Sequence, residues 1–308
     1  MATHVYRWLE KYAQEENKNI NVSFSYLDAR TFKIVDDKKG VITGDLRNDI
    51  KLDIQELINL HGFERKNKPS DERNLFKVAV EKFKELIEKG NLKNYFDNYK
   101  RDIFIDDKGD LLRSIEKFEK KVENKGFKAQ GAFLEIIKTL PEDYKLFDEC
   151  GSFKKPKNNN CLEKAIKFLD GGWLELYVYN VLKEKLKDDK ITIDVNWVIK
   201  KSEWQRPHQN FELDLILIKG YQLIGISCTT SEKRRECKSK GFEIFMRTRQ
   251  IGGEEARAVL ITRLSETQRD ELQAELEIDT GGRENILVLG CDDLEEEILV
   301  SKIKDYII

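Results

Sequence analysis

The sequence has few of the residues that make a disulfide scaffold, a zinc site or a histidine-based catalyst. Its five cysteines are scattered, odd in number and without a Cys-x-x-Cys spacing, which argues against a disulfide framework and a zinc site. The three histidines lie far apart in the chain, so no histidine triad is visible. This cysteine usage is typical of a reducing compartment, and we expect a cytoplasmic protein.

The chain also lacks a long apolar run and an excess of charge of one sign. No stretch approaches the roughly 18 apolar residues of a membrane span, and the opening MATHVYRWLEKYAQEEN has no apolar centre like that of a signal peptide. We therefore expect no membrane partner. Charged residues make up 36% of the 308 residues, yet the formal net charge is −2. A nucleic acid would have to be bound by a local basic patch.

The patterns along the chain divide it into three regions. Residues 1–45 predict one helix and a pair of strands, which is too little for an independent domain and should dock on the middle region or on a second copy of the chain. Residues 46–160 show the apolar spacing of helices and end in a loop rich in Gly, Pro and Asn. Residues 161–308 predict the order αβββαβαβα, an α/β fold with a mixed sheet flanked by helices.

A hairpin between Phe211 and Cys228 carries the first candidate site residues. Its two-residue turn is either Lys219-Gly220 or Gly220-Tyr221. In both registers Asp214 shares a sheet face with Ser227 and Thr229, because opposite residues share a face and side chains alternate. The neighbours of Asp214 are apolar, so the carboxylate is expected to be buried, either in a metal or catalytic role or as a structural hydrogen-bond acceptor.

The second carboxylate is Glu175, on the long helix that opens the third region. It lies one turn after Gly171-Gly172, a pair that weakens a helix by about 1 kcal/mol per glycine unless a close backbone approach requires it. Two carboxylates on a helix and an adjacent hairpin suit Mg²⁺ or Mn²⁺. The alternative is that Glu175 simply faces solvent, as most helical glutamates do.

Three segments carry a resemblance to a known family: GGWLELYVY, NFELDLILIKGYQLIGIS and RQIGGEEARAVLIT. Together they resemble the restriction-endonuclease-like PD-(D/E)xK superfamily, and within it the CRISPR accessory nucleases that fuse a CARF domain to such a nuclease. The resemblance implies a restriction-endonuclease-like fold, metal-dependent cleavage of DNA or RNA, a homodimer, and a role in CRISPR or antiviral defence.

The N-terminal part resembles the same proteins less completely. LDIQELINLHG is similar to their connector, and the opening helix with SFSYLDA is similar to the last elements of a CARF domain. The loops with which a CARF domain binds cyclic oligoadenylate would precede Met1, so the resemblance gives little ground for expecting that ligand here.

The sequence departs from the family at the motif itself. Where the family has Glu-x-Lys, this chain has Ser227-Cys228-Thr229, and Cys228 joins Glu175 and Asp214 as a candidate metal ligand. The lost charges have candidate replacements on the next helix, which also carries a basic cluster that would follow a nucleic-acid backbone. A solvated charged surface explains the same pattern. The candidates are Glu232, Lys233, Glu236, Lys238, Lys240, Glu243 and Arg247, and the basic cluster is Lys233, Arg234, Arg235, Lys238 and Lys240.

These patterns leave two functions of different classes open. The first is a metal-dependent endonuclease with a rearranged site, in which Glu175 and Asp214 hold the ion and a helix residue such as Lys238, Lys240 or Glu243 restores the missing charge. The second is a catalytically inactive relative that keeps the fold for nucleic-acid binding or assembly. A third, related to the second, is an interaction subunit whose sensor belongs to another chain.

Overall fold

A computed structural model describes most of the chain. The described residues are 8, 11, 12, 15, 23–28, 30–67, 74–187, 189–202, 210–282 and 284–307. The helix predicted over residues 3–17 lies largely outside them.

The N-terminal element is a small antiparallel sheet of three strands in the order β1-β2-β3. Strands β1 (Ser25–Asp28) and β2 (Lys33–Asp36) form the predicted pair, and β3 (Gly40–Val41) extends it. The sheet docks on the C-terminal region, whereas the sequence analysis named the middle region or a second copy of the chain as the host. Docking itself is what an element too small to be stable alone requires.

Arg47 anchors this N-terminal element. Its guanidinium is buried, donates to Gln222 Oε1 at 2.8 Å and to the Ile307 carbonyl at 2.7 Å, and pairs with Asp45 at 2.7 Å. The same group lies over the ring of Phe32 at 3.8 Å from its centroid. One arginine therefore joins the N-terminal sheet, the central hairpin and the C-terminal helix.

The middle of the chain is helical, as predicted, with one exception. Helix α1 (Ile54–Leu60) begins at a capping box in which Asp53 and Glu56 satisfy each other's backbone N–H groups. Strand β4 (Phe63–Arg65), which the sequence places in the helical region, instead joins the edge of the C-terminal sheet. The other helices are α2 (Lys77–Glu88), α3 (Leu92–Asn98), α4 (Ile115–Lys125) and α5 (Gly131–Thr139).

The C-terminal region contains one six-stranded mixed sheet in the order β4-β5-β6-β7-β8-β9. Neighbours from β4 to β7 are antiparallel, and β7, β8 and β9 are parallel. The predicted α/β fold with a mixed sheet flanked by helices is therefore confirmed. Its elements are α6 (Asn159–Lys167), α7 (Trp173–Lys185), β5 (Ile191–Lys201), β6 (Phe211–Lys219), β7 (Gln222–Cys228), α8 (Arg234–Gly252), β8 (Arg257–Ile261), α9 (Glu266–Thr280), β9 (Ile286–Leu289) and α10 (Glu296–Ile307).

A wide helical turn separates α6 from α7. Residues Phe168–Gly172 form a π-helical segment, so the helix contains a bulge at the glycine pair. The close backbone approach expected at the glycine pair occurs at Gly172, where a Cβ would meet the Lys167 carbonyl of the same helix at 3.3 Å. At Gly171 a Cβ would meet only the Thr230 side chain, at 3.9 Å. The tight contact therefore lies within the bulge itself.

Two apolar clusters cover the two faces of the sheet. One contains the middle helices, α6, α7 and α10, and the other contains α1, α8 and α9. Trp173 at the start of α7 is fully buried and stacks on Phe83 of α2, with ring centroids 4.1 Å apart. The Tyr95 hydroxyl donates to the Leu169 carbonyl at 2.9 Å. The middle region therefore fixes the position of α7.

Among the described residues, no helix combines the length and the apolarity needed to cross a bilayer. All five cysteines carry free thiols. The cytoplasmic location and the homodimer stay predictions.

The Arg47 anchor generates a stability prediction. We expect Arg47→Ala to lower the free energy of unfolding by about 3 kcal/mol, because it removes one partner of a buried ion pair and leaves buried acceptors unsatisfied. Urea unfolding measures the loss. Arg30→Ala is the control, because Arg30 pairs with Asp28 while its own side chain is 87% exposed, and such pairs contribute little. Equal stability of the two variants would contradict the anchor.

Candidate active site

The central hairpin places Asp214 as predicted. Lys219 pairs with Gln222, so the turn is Gly220-Tyr221, the second of the two registers considered. The paired ladder ends at Leu215 opposite Ile226. Just beyond this point, where β6 and β7 separate, Asp214 Oδ2 accepts the Cys228 N–H at 2.7 Å and the Ser227 hydroxyl at 3.1 Å. Asp214 and Ser227 therefore share one side of the hairpin.

Thr229 has a different role from the one expected. It lies beyond the end of β7, and its N–H donates to the Ile261 carbonyl at 2.8 Å. Its hydroxyl accepts the Ser231 N–H at 3.2 Å. The side chain therefore shapes the turn into α8 and is not brought into contact with Asp214.

Glu175 lies in the first turn of α7, near Asp214. In the part of the chain that the structure describes, its carboxyl group makes no hydrogen bond or ion pair. Burial, followed by the negative charge of Asp214, raises the pKa of Glu175 to about 8. Burial also raises the pKa of Asp214, against the opposing effects of the Cys228 N–H and the positive charge of Lys240. The two acids therefore resist being ionised together.

Lys240 supplies a positive charge that acts on both acids, although the charge of Lys167 acts more strongly on Glu175. Lys240 is exposed on α8, and its charge lowers the pKa of Glu175, of Asp214 and of the Cys228 thiol. The described residues offer its ammonium no ion-pair partner. Of the lysines considered as replacements for the motif lysine, this is the one that the fold brings to both carboxyls.

The other candidates on α8 are occupied elsewhere or lie in solvent. Lys238 pairs with Asp279 at 3.0 Å and with Glu275 at 3.5 Å, both on α9. Glu243 is exposed, and no contact joins it to the two carboxyls in the described chain. The remaining pairs are Lys233 with Glu236, Arg234 with Glu271 and Glu275, Glu232 with Arg263, and Arg247 with Gln250.

The basic cluster is therefore mostly neutralised. Lys233, Arg234 and Lys238 each pair with a carboxylate, so a nucleic-acid backbone would compete with existing partners. Arg235 and Lys240 are the cluster members for which the described residues provide no ion pair. Of these two, the charge of Lys240 acts on both carboxyls.

Sequence reasoning missed Glu212 and Lys167. The charge of Glu212 raises the pKa of both Glu175 and Asp214, whereas the charge of Lys167 lowers that of Glu175. The two side chains approach each other at 3.7 Å. Glu212 precedes Asp214 by two strand positions, and this alternation was a signal available in the sequence. Nothing in the sequence indicated Lys167.

The thiol of Cys228 does not suit the metal role expected for it. Burial raises its pKa well above the ordinary value, and the negative charges of Asp214 and Glu175 raise it further. A thiol binds a metal as the thiolate, and here the neutral form is stabilised. The backbone N–H of Cys228, which holds Asp214, is the part that serves the site.

The donor set fits a cation that prefers oxygen ligands, such as Mg²⁺ or Mn²⁺, better than a metal that prefers thiolate or imidazole ligands. No group of three or more His, Cys, Asp and Glu side chains suited to a metal occurs among the residues that the structure describes. Glu175 and Asp214 together offer carboxylate oxygens, and Oδ1 of Asp214 accepts no hydrogen bond from any described residue. Mg²⁺ is commonly held by one or two carboxylates with waters completing its shell. A cation there would also offset the repulsion between the two acids.

Part of the sequence matches a nuclease family. Residues 162–290 match the model of the family described as "Card1-like, endonuclease domain". This range contains Glu175, Asp214, Ser227 and Lys240, and the match supports the resemblance to nucleases noted in the sequence. Comparison with curated protein sequences finds no match.

Two solved structures resemble nearly the whole chain. Protein VC1899 from Vibrio cholerae superposes with a TM-score of 0.60 at 15% identity, covering 98% of this chain and 72% of that one. Can2 from Sulfobacillus thermosulfidooxidans, in complex with cyclic tetra-adenylate, gives a TM-score of 0.57 at 15% identity, covering 97% of this chain and 72% of that one. At this identity the likeness shows a shared fold.

The raised pKa of Glu175 predicts a pH-dependent stability difference. Between its ordinary value of 4.5 and its folded value of about 8, the folded protein holds a proton that the unfolded chain releases, so the stability of the wild type falls as the pH rises. Glu175→Gln removes this effect. Its stability relative to the wild type should therefore rise by up to about 1.4 kcal/mol per pH unit in that window.

Chemical unfolding at pH 5, 6 and 7 in the presence of a chelator measures this slope. Glu184→Gln is the control, because Glu184 lies on the same helix with an exposed side chain. Parallel pH profiles for the wild type and Glu175→Gln would show that the carboxyl is ionised normally.

Proposed function

We propose that this protein is a divalent-cation-dependent endonuclease with a rearranged PD-(D/E)xK site, in which Lys240 replaces the motif lysine from the following helix. The observation that carries the proposal is the placement of two half-buried acids near each other, with Asp214 held by the Cys228 N–H and the Ser227 hydroxyl, and with the charge of Lys240 acting on both. The match of residues 162–290 to an endonuclease domain supports it. We assign the protein to CRISPR or antiviral defence, since Can2, a structure of the same fold, was solved with cyclic tetra-adenylate.

In this proposal Asp214 and Glu175 hold Mg²⁺ or Mn²⁺. When bound, the cation would activate a water and stabilise the oxygen that leaves phosphorus. Asp214 is oriented for this task by the Cys228 N–H and the Ser227 hydroxyl, which both bond to Oδ2 and leave Oδ1 for the ion. The carboxyl group of Glu175 has no competing partner in the described chain. A divalent cation beside it would lower its pKa, so that it loses its proton and can bind the ion.

Lys240 acts on the phosphate. An ammonium beside the two carboxylates can contact a non-bridging phosphate oxygen and stabilise the charge that develops there. The hydroxyls of Ser227 and Thr229 cannot supply that charge, and Thr229 is engaged in its own turn. The long, flexible side chain of a lysine on α8 is able to reach the same place from another element.

The second candidate function is an inactive nuclease fold that binds nucleic acid or serves assembly. The presence of Ser227 in place of a carboxylate favours it, because the described residues offer only two carboxylates for the ion at this point. The two functions differ in whether cleavage occurs and depends on the metal.

Cleavage assays with matched variants test the first candidate. We expect Asp214→Asn and Lys240→Met each to reduce Mg²⁺- or Mn²⁺-dependent cleavage by about 10² to 10³-fold, as removal of a charged group from a phosphoryl-transfer site does. Lys238→Met is the control, because Lys238 lies on the same helix but pairs with α9. Its cleavage rate should match the wild type.

The substrates are single- and double-stranded DNA and RNA, and the readout is the initial rate with metal and with chelator. Cleavage by Asp214→Asn in the presence of a chelator would refute the metal site. A loss of activity in Lys238→Met that equals the loss in Lys240→Met would refute the assignment of the lysine. Absence of cleavage by the wild type, combined with nucleic-acid binding, would favour the second function.

Restoring the family's carboxylate should strengthen the metal site. Ser227→Glu places a third acid beside Asp214, and cation affinity rises with the number of charged ligands. We expect the Mg²⁺ affinity to increase by about tenfold or more, and the melting temperature without metal to fall because like charges are crowded. Ser301→Glu adds the same charge on an exposed position of α10 and controls for charge alone. Calorimetric titration and thermal unfolding with and without MgCl₂ measure both effects, and an unchanged affinity would contradict the placement of Ser227.

A further inference from the structure

A cavity of about 710 Å³ lies next to the candidate active site. Its floor is outside the carboxyl ends of three parallel strands: Thr230 follows β7, Arg263 follows β8 and Cys291 follows β9. In open α/β sheets this is the place where ligands bind, and the volume is in the range of small-molecule sites. The opposite wall is formed by α3 together with Tyr99 and Arg101.

Arg263 is the central side chain of the cavity. Only 10% of the side chain is exposed, and its guanidinium lies over the ring of Phe96, 3.1 Å from the centroid. Nη1 donates to the Thr230 carbonyl at 3.3 Å, and Nη2 pairs with Glu232. Nε is buried, and the described residues give it no acceptor. A guanidinium packed over an aromatic ring at the wall of a cavity is one of the groups on which proteins stack nucleobases.

The cavity is physically joined to the catalytic elements. Asp170, in the bulge just before α7, accepts the Tyr99 hydroxyl at 2.8 Å and the Arg101 Nε–H at 2.9 Å. Its carbonyl accepts the Thr230 hydroxyl at 2.8 Å. Glu175 follows on the same helix, and Thr230 lies three residues after Ser227. A ligand in the cavity therefore contacts the two elements that carry the catalytic groups.

The charges of the side chains that line the cavity favour a nucleobase over a phosphate as the ligand. The positively charged side chains are Lys93, Arg101 and Arg263, and the acidic ones are Asp97, Asp170, Glu232 and Asp292. The cavity is therefore not positive overall. Asp97 and Asp292 are exposed, and the described chain provides neither with an ion pair. Carboxylates at the rim accept N–H donors. Guanine presents adjacent N–H donors on its Watson–Crick edge, and carboxylates suit that edge.

We propose that this cavity is a nucleoside pocket, in which one unstacked guanine of the substrate strand lies on Arg263 with its N–H edge toward Asp97 and Asp292. The assignment of the ligand to the strand being cut rests on the proposed nuclease function; the binding of the base does not. An unstacked base must leave its helix, so the pocket selects unpaired nucleotides next to the cleaved bond.

Binding of GMP to the full chain in the presence of EDTA tests the pocket apart from catalysis. Isothermal titration should detect GMP, with CMP and UMP at least about tenfold weaker, the effect of losing one hydrogen bond to a charged group. The double substitution Asp97→Asn with Asp292→Asn should weaken GMP binding by about tenfold or more. Asp107→Asn is the matched control, because Asp107 is exposed and lies outside the cavity.

Arg263→Lys tests the stacking surface, because it keeps the charge and removes the planar group. GMP binding to Arg263→Lys should fall. The double variant Asp97→Asn with Asp292→Asn, the rim variant, should also bind GMP more weakly while keeping the melting temperature of the wild type. The test therefore does not depend on whether Arg263→Lys folds. Failure of the wild type to bind GMP at millimolar concentration overturns the pocket, as does binding that the rim variant leaves unchanged.

A cleavage arm separates this inference from the proposed function. On single-stranded oligonucleotides containing one guanosine, the wild type should cut within about two nucleotides of it, and the rim variant should lose this preference while retaining cleavage. GMP binding without any cleavage would support the pocket and overturn the nuclease. Metal-dependent cleavage without GMP binding would overturn the pocket and support the nuclease.

Discussion

Two half-buried carboxyl groups near each other set the main constraint on this molecule. Glu175 and Asp214 come from a helix and a hairpin that belong to different parts of the sequence, and the fold shields both partly from water. Each would be more stable as the neutral acid unless a positive charge is close. The Cys228 N–H, the Ser227 hydroxyl and the Lys240 ammonium offset part of that cost, and a divalent cation would offset the rest.

The remainder of the fold holds this unfavourable pair in place. Trp173 stacks on Phe83, and Tyr95 bonds to the Leu169 carbonyl, so the middle helices fix the start of the helix that carries Glu175. The parallel strands β7 and β8 fix the other partner, because Asp214 is tied to the end of β7. The middle region is thus part of the site's support and not merely a connector.

Local patterns in the sequence were enough to predict that Asp214 lies beside Ser227. Strand alternation and a two-residue turn placed Asp214 with Ser227, since both depend on neighbouring residues alone. Alternation failed for Thr229, because β7 ends one residue earlier and the chain turns. The choice of Lys240 over Lys238 depended on the position of α9, whose carboxylates pair with Lys238. Such a long-range pairing, like the addition of β4 to the sheet edge, has no local signature.

The bulge at Phe168–Gly172 determines which way the catalytic helix faces. In an α-helix each residue advances the side chains by about 100° around the axis, so one additional residue in a turn rotates everything that follows by that angle. A chain that is one glycine shorter at this bulge would therefore turn Glu175 away from Asp214 without altering any residue of the site.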